Sequence, residues 1–389
     1  MSRRQPAAGR SHPELPPKLY NMEYNFRVSY TDAAKFVRPM VLTVWVMPGD
    51  RIELQIYDSG PKKLFLKRGT VPEKVSLANL TLNATVVINA RAYKVEGYAD
   101  AITQRIMSSR GSSLCLVLPE AYNSMGRVIE YLEATGVGVG RLRLVNFTES
   151  EAAEFLSVGE ARGAPQAPPG TSKGLSRGSM LAIECVGEDV CSRLQEAVGP
   201  LDIPTARDVA PQSLRALFNA VTVRVSSCVA AASAEVARVF DRSYPYTAVY
   251  TNCSAVIIKP HAVSSKCTGP ILNALLSAGV EVSALRSVAL SRTDAADFLE
   301  PYKSVVPEFE RWVVELSSGV SVCIEARGEG VVEMIRDLAG PVDVAVSRIL
   351  APQSLRARFA VDNVRTAVQV TDVTEDGPLE CKFLFSVVA

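Results

Sequence analysis

The seven residues APQSLRA at positions 210–216 recur unchanged at positions 351–357, an offset of 351 − 210 = 141. Upstream of each heptapeptide stands the pattern Gly-Pro-x-Asp, at 199–202 and again at 340–343, with the same offset. Matches in the same order and at constant spacing indicate an internal repeat. The heptapeptide therefore predicts that the chain contains two copies of one domain.

The matches extend toward the N-terminus of each copy. The pattern Ala-Ala-x-Phe-Leu at 152–156 returns at 295–299, where the offset is 295 − 152 = 143. Pro119 likewise matches Pro260, with an offset of 260 − 119 = 141. We place the first copy at about 111–242 and the second at 251–389.

The first copy alternates between strand-like and helix-like patterns. Residues 114–118 are a short apolar run that ends at a proline, and Val128, Ile129 and Leu132 have helical spacing. A second strand is expected at 137–145 and a second helix from Glu149. This order is typical of α/β or split βαβ folds.

The copies differ after the second helix. The second copy has a helix-like stretch at 300–314, whereas residues 157–179 of the first are rich in Gly, Pro, Ala and Ser. That composition is typical of a flexible loop. We therefore expect a flexible insertion at 157–179 and the loss of a helical hairpin from the first copy.

Residues 23–107 form a separate strand-rich module. Phe26, Val28 and Tyr30 alternate with polar residues, and a similar alternation follows at 52–56. The module contains no His, no Cys and no Gly-rich phosphate loop. We interpret it as a binding module.

Composition excludes several classes of function. The 389 residues carry 42 Lys+Arg and 41 Asp+Glu, a net charge of +1, which gives no field for nucleic acid or an anionic membrane. The arm at 1–22 is basic and rich in Pro and Gly, so alone it should be disordered. With eight cysteines, no CxxC and only two histidines, we expect buried thiols in a reducing compartment and no metal ligand set.

Two motifs in the second copy resemble those of the nucleoside diphosphate kinase family. Residues 257–262 (IIKPHA) resemble its first-strand motif, in which lysine and proline precede an acidic residue and alanine. Residues 352–356 (PQSLR) resemble its Pro-Gly-Thr-Ile-Arg motif.

The whole arrangement resembles the ciliary and flagellar type of that family, its seventh member, which begins with a DM-ten domain. Residues 48–50 and 65–68 resemble motifs of the DM-ten domain, and 371–377 resembles the C-terminal segment of the ciliary type. The resemblance implies an α+β multidomain chain. A β-rich, barrel-like DM-ten module at 23–107 is followed by two ferredoxin-like α/β sandwich domains.

The family transfers a phosphoryl group through a nucleophilic histidine. Counting through the repeat puts Cys228 at that position in the first copy and Gln369 in the second, with 369 − 228 = 141. An amide has no basic nitrogen, and Cys228 has no histidine to activate it. His12 lies in the arm and His261 replaces the motif's acidic residue, where we expect a structural role. Both copies are therefore expected to be catalytically dead, which makes the protein a pseudoenzyme.

The resemblance also implies a vestigial nucleotide site in the second copy. Its residues would be Lys259, Tyr302, Arg336 and Arg356, with any magnesium carried in by the nucleotide. The first copy has Leu118 and Gln195 at the matched positions and retains only Arg215, so it should not bind nucleotide. No cofactor is expected to be required.

For function, the resemblance implies a structural microtubule inner protein of axonemal doublet microtubules in cilia and flagella, made in the cytoplasm before assembly. The expected partners are α/β-tubulin and other inner proteins, with the basic arm ordering against acidic tubulin, and neither nucleic acid nor membrane. The alternatives are an active nucleoside diphosphate kinase and a nucleotide-sensing partner of the γ-tubulin ring complex.

Overall fold

A computed structural model describes residues 23–388 except 33, 48–50, 71–74, 76, 78, 79, 81–83, 109, 219, 221 and 241–243. Its strands are β1 Glu23–Thr31, β2 Val37–Met47, β3 Arg51–Asp58, β4 Lys63–Gly69, β5 Thr85–Ile88, β6 Arg91–Tyr98, β7 Arg110–Val117, β8 Gly138–Val145, β9 Met180–Glu188, β10 Val223–Val225, β11 Cys253–Ile258, β12 Glu281–Ala289, β13 Val320–Arg327 and β14 Val368–Val370. The basic arm at 1–22 and the DM-ten-like motif at 48–50 lie outside the described residues.

The α-helices of the described residues are α1 Ala101–Ser108, α2 Met125–Ala134, α3 Glu149–Glu160, α4 Thr171–Leu175, α5 Val190–Val198, α6 Ile203–Val209, α7 Leu214–Phe218, α8 Val229–Phe240, α9 Pro260–Ser264, α10 Thr268–Ser277, α11 Arg292–Phe298, α12 Phe309–Leu316, α13 Val331–Ala339, α14 Val344–Leu350, α15 Leu355–Phe359 and α16 Gly377–Lys382. Short 3₁₀ turns at Pro119–Ser124 and Glu300–Tyr302 and a π-turn at Phe383–Val387 complete them. No helix in this part of the chain is long and apolar enough to cross a membrane.

The N-terminal module is one antiparallel sheet in the order β4-β3-β2-β1-β6-β5. Alternation in β1 buries Tyr24, Phe26 and Val28 on one face, against apolar residues of β2 and β3. The result is a half-barrel, which confirms the prediction of a β-rich first module.

Each copy of the repeat contributes four antiparallel strands to a second sheet. Within this sheet, the strands of the first copy lie in the order β10-β7-β9-β8, and those of the second mirror them as β12-β13-β11-β14. Numbered along each copy, both orders are 4-1-3-2, with helices between the strands, which is the ferredoxin-like arrangement. The α+β fold class expected from the sequence is confirmed.

The Gly-Pro-x-Asp patterns build the same turn twice. Gly199 and Gly340 have φ values of 81° and 78°, in the left-handed region that favours glycine. A Cβ on either would overlap the serine of the following heptapeptide, Ser213 or Ser354. The repeated sequence therefore encodes a repeated backbone geometry.

The two copies join edge to edge. Strand β8 pairs with β12 where Arg143 lies opposite Arg286, so the eight strands form one continuous sheet. The hydroxyl of Tyr122 accepts a hydrogen bond from the Val282 backbone N–H at 2.7 Å and donates one to the Val282 carbonyl at 2.8 Å. One apolar core spans both copies, which makes them a single body.

On one face of this sheet, α2 packs on α10 with almost no space between their backbones. A Cβ on Gly126 would lie 2.5 Å from the Gly269 carbonyl oxygen, and one on Gly269 would lie 2.7 Å from the Gly126 oxygen. These two glycines are matched by the repeat, since 269 − 126 = 143. The contact is therefore symmetric, as at the interface of a homodimer.

The expectation of a flexible loop at 157–179 is wrong for part of the segment. Residues through Glu160 continue α3, and Thr171–Leu175 forms α4 with Leu175 buried. The Ala167 N–H donates to Glu160 at 2.9 Å, which fixes the intervening turn. In the second copy, the helix-like stretch at 300–314 is interrupted, because α12 begins only at Phe309.

We predict that Gly126→Ala destabilises the protein. The added methyl would press on the Gly269 carbonyl and the Asn273 side chain, and such overpacking costs about 1–3 kcal/mol. Urea unfolding followed by circular dichroism measures the change in midpoint. Gly174→Ala in α4 is the control, because a Cβ there meets nothing within 4 Å. Equal midpoints for the two variants would contradict the close helix contact.

Candidate functional site

Strand register identifies which residue of the first copy corresponds to Gln369. In the second copy, Gln369 on β14 lies opposite Ile257 on β11. In the first copy, Arg224 on β10 lies opposite Leu116 on β7. Leu116 and Ile257 are matched by the repeat, since 257 − 116 = 141. The residue that corresponds to Gln369 is therefore Arg224, and the expectation of Cys228 is wrong.

Hydrogen bonds around the strand confirm this register. Ser226 Oγ accepts from the Leu114 N–H and donates to Glu235, at 3.2 and 2.5 Å. Thr371 Oγ1 likewise accepts from the Ala255 N–H and donates to Glu380, at 2.8 and 2.5 Å. The offset here is 371 − 226 = 145. The first copy is thus four residues shorter between its heptapeptide and this strand, which the count from the sequence did not include.

Cys228 lies just before α8, where its Sγ is 3.7 Å from the Arg162 carbonyl oxygen. Arg224, which takes the matched place on the strand, has its Nη2 3.7 Å from a carboxylate oxygen of buried Glu235. A guanidinium carries no lone pair able to accept a phosphoryl group at neutral pH.

Side chains of the first copy occupy the region that corresponds to the second copy's site. The Gln195 amide, matched to Arg336, donates to the carbonyls of Ser226 and Ser227 at 3.0 and 2.8 Å. Leu118 packs against the apolar cluster on that face of the sheet, and Gly159 of α3 lies against Glu235. At these two matched positions the first copy therefore has a neutral side chain where the second copy has Lys259 and Arg336.

Arg215 and Arg356 make related contacts in the two copies. Arg356 Nη1 donates to the Gly340 carbonyl at 2.6 Å, and Arg215 Nη1 donates to the matched Gly199 carbonyl. Both side chains are buried, and burial lowers the pKa of Arg356 to about 10. Each arginine therefore holds the Gly-Pro turn, a role that the resemblance does not imply for Arg356.

Lys259 is also turned inward. Its Nζ lies 5.1 Å from the centre of the Trp312 ring and 3.3 Å from the Val364 carbonyl oxygen. Burial, with a smaller contribution from the Arg356 charge, lowers the pKa of Lys259 to about 7.

Tyr302 and Arg336 meet at Asp372. The Tyr302 hydroxyl donates to Asp372 at 2.6 Å and accepts from the Gln369 amide at 3.3 Å. The Arg336 Nε lies 3.9 Å from the other Asp372 oxygen, with both side chains about half exposed. The sequence placed Asp372 in the segment 371–377, three residues after Gln369, but it did not show that the carboxylate contacts Tyr302 and Arg336.

A pocket of about 500 Å³ opens beside this cluster. Arg336 and Arg356 line it, together with the three carboxylates of Glu333, Asp337 and Asp372. Lys259 and Tyr302 are not part of its lining. Of the four residues carried over from the resemblance, only the two arginines therefore face the open volume, and acidic groups outnumber them.

His261 lies in the first turn of α9, where its Nδ1 is 2.6 Å from the Glu315 carboxylate. Its side chain is about 9% exposed. The other histidine, His12, lies outside the described residues.

Comparison with known proteins is consistent with this architecture. A family model described as nucleoside diphosphate kinase matches residues 252–388. Over 98% of both chains, this protein is 30% identical to nucleoside diphosphate kinase homolog 7 of Rattus norvegicus. The protein of the same name from Mus musculus is 31% identical, over 97% of this chain and 96% of its own.

The chain belongs to the family of nucleoside diphosphate kinase homolog 7. The crystal structure of the nucleoside diphosphate kinase of Aquifex aeolicus is 30% identical and covers 35% of this chain and 95% of its own, with a TM-score of 0.34. The homolog 7 assignment confirms the resemblance inferred from the motifs.

We predict that any nucleotide affinity depends on Arg336 and is weakened in Arg336→Gln, a substitution that copies Gln195 of the first repeat. A charge-assisted contact to phosphate contributes about 1.5–3 kcal/mol, so ADP with magnesium should bind roughly tenfold more weakly to the variant. Titration calorimetry measures the affinity.

Arg292→Gln is the matched control. Arg292 is exposed to a similar extent and pairs with Glu310 at 3.1 Å, but it does not line the pocket. Unchanged ADP affinity in Arg336→Gln would contradict a phosphate-binding role for this residue.

Proposed function

We propose that this protein is a structural component of axonemal doublet microtubules, a microtubule inner protein whose nucleoside diphosphate kinase-like domains transfer no phosphate. One observation supports the loss of phosphate transfer. The two positions that correspond in strand register hold Arg224 and Gln369, and neither side chain is an imidazole.

The chemistry of a phosphohistidine intermediate needs a nitrogen lone pair aimed at the phosphoryl group. The Gln369 amide nitrogen has none available, and it donates to Tyr302. His261 is held by Glu315 in the first turn of α9, outside the pocket lining. These contacts support loss of phosphotransfer in both copies.

A scaffold needs a defined shape and fixed surfaces. Joining of β8 to β12 and packing of α2 on α10 combine the two copies in one body without requiring a second chain. The N-terminal half-barrel adds another folded surface. The ciliary setting is supported by the resemblance of the three-module arrangement, with α/β-tubulin and neighbouring inner proteins as partners and the basic arm against acidic tubulin.

A nucleotide-sensing role, as a partner of the γ-tubulin ring complex, is the second candidate. It is favoured by Arg336 and Arg356, which still line the second copy's pocket. The three carboxylates in that lining oppose phosphate binding, so we rank this role below the scaffold.

We predict that the purified protein forms no acid-labile, base-stable phosphoprotein when it is incubated with γ-labelled ATP and magnesium. Loss of a nucleophile that acts as part of a catalytic unit costs on the order of 10⁶-fold in rate. An active nucleoside diphosphate kinase, assayed in parallel, is the positive control. Phosphorylation that survives base and is lost in acid would restore the kinase alternative.

We predict that the protein stays with axonemes after extraction with salt and detergent, and that deletion of residues 1–20 weakens this retention. The deletion should leave the melting temperature of the isolated protein nearly unchanged, because a segment of that composition contributes little to a folded core. Immunoblots of the pellet and supernatant compare the two forms. Complete release of the full-length protein in mild salt would contradict the structural proposal.

A further inference from the structure

Two buried cysteines meet where the C-terminal helix packs on the sheet. Cys253 is the first residue of β11 and Cys381 lies in α16, and both are free thiols. Their Sγ atoms and a carboxylate oxygen of Glu325 all lie within 4.8 Å of one another. The pair belongs neither to the pocket nor to the join between the copies.

The contact between α16 and β11 follows from a glycine. A Cβ on Gly377 would overlap the Cys253 carbonyl oxygen, so only glycine lets the helix approach the strand this closely. Cys381 follows four residues later and therefore lies on the same face of the helix. Glu380 fixes this turn by accepting from Thr371 Oγ1 at 2.5 Å.

We propose that Cys253 and Cys381 are a redox-active pair that hydrogen peroxide converts into an intramolecular disulfide, which fastens the C-terminal helix to the first strand of the second copy. The modification needs no large rearrangement, because the two sulfurs already lie side by side.

A metal site at the same three residues fits less well. The Glu325 carboxylate already accepts from the backbone N–H groups of Val249 and Tyr250, each at 2.7 Å, and from Ser283 Oγ at 2.5 Å. With its oxygens committed, the cluster offers two sulfurs, short of the four ligands of a structural zinc site.

Among the buried cysteines, Cys253 has the setting of a nucleophile. The hydrogen bond with Cys381 lowers the pKa of Cys253, whereas burial raises the pKa of Cys115 and Cys323 to about 12. Since the thiolate is the reactive form, Cys253 should react first when the helix opens.

The reaction balances with peroxide as the oxidant. The Cys253 thiolate attacks one peroxide oxygen and the O–O bond breaks. Hydroxide is the leaving group, and Cys253 becomes a sulfenic acid. The Cys381 sulfur then attacks the Cys253 sulfur. The S–O bond breaks, and the leaving hydroxide takes the Cys381 proton as water. Two thiols are oxidised and one peroxide is reduced to two waters.

The bond would tie together the two ends of the second copy. The disulfide closes a loop of 381 − 253 = 128 residues, and a loop of this length strongly reduces the conformational entropy of the unfolded chain. We expect the melting temperature of the oxidised protein to rise by about 5 °C or more.

Peptide mass spectrometry of the full chain tests the proposal. The protein is purified reduced, treated with millimolar hydrogen peroxide, alkylated and digested without reductant. We expect a linked peptide that joins Cys253 to Cys381 and disappears with dithiothreitol. Cys253→Ala and Cys381→Ala should both lose the link and the oxidation-dependent rise in melting temperature.

Cys323→Ala is the matched control, a buried cysteine of β13 whose replacement should leave the linked peptide in place. Full alkylation of both thiols after peroxide treatment would overturn the proposal. This measurement needs only the wild-type protein, so it does not depend on whether the variants fold. Peroxide products that link other cysteines would also overturn it. So would tight binding of one zinc ion that protects both thiols from alkylation.

Discussion

The close contact between α2 and α10 determines how the two copies join. Gly126 and Gly269 each leave room for the other's carbonyl, and no other residue fits there without displacing a backbone. With the helices this near, the edge strands β8 and β12 come within pairing distance. Two sheets of four strands become one sheet of eight, and each copy covers an edge that would otherwise remain open.

That junction buries two like charges near each other. Arg143 and Arg286 lie opposite one another across the two strands, and both are buried. The centre of the Tyr246 ring lies 4.5 Å from the Arg143 guanidinium carbon and 4.9 Å from that of Arg286, so this one aromatic ring stabilises both cations. Backbone carbonyls accept hydrogen bonds from both guanidinium groups: that of Pro245 accepts from Arg143 at 3.3 Å, and that of Val388 accepts from Arg286 at 3.1 Å. The linker between the copies is thereby part of the junction.

The sequence predicted the repeat, the fold class and the strands near 26–30, 52–56, 114–118 and 137–145, because alternation, short apolar runs and the heptapeptide reflect local geometry directly. It could not locate Arg224, because a four-residue difference after the heptapeptide is visible only in the strand pairing. It also could not distinguish Arg356 as a phosphate ligand from Arg356 as the support of a glycine turn. Only the hydrogen bond to Gly340 shows that role. The short helix α4 was missed because Gly and Ser dominate its surroundings, while a single buried Leu175 anchors it.

We propose that a kinase fold without its nucleophile serves as a fixed part of a doublet microtubule. Cryo-electron microscopy of isolated doublet microtubules tests it most directly. We expect regularly spaced density on the luminal wall that fits the continuous eight-stranded sheet and the half-barrel. Doublets that lack such density, together with recovery of the protein in the soluble cytoplasmic fraction, would show that it is not a structural part of the doublet.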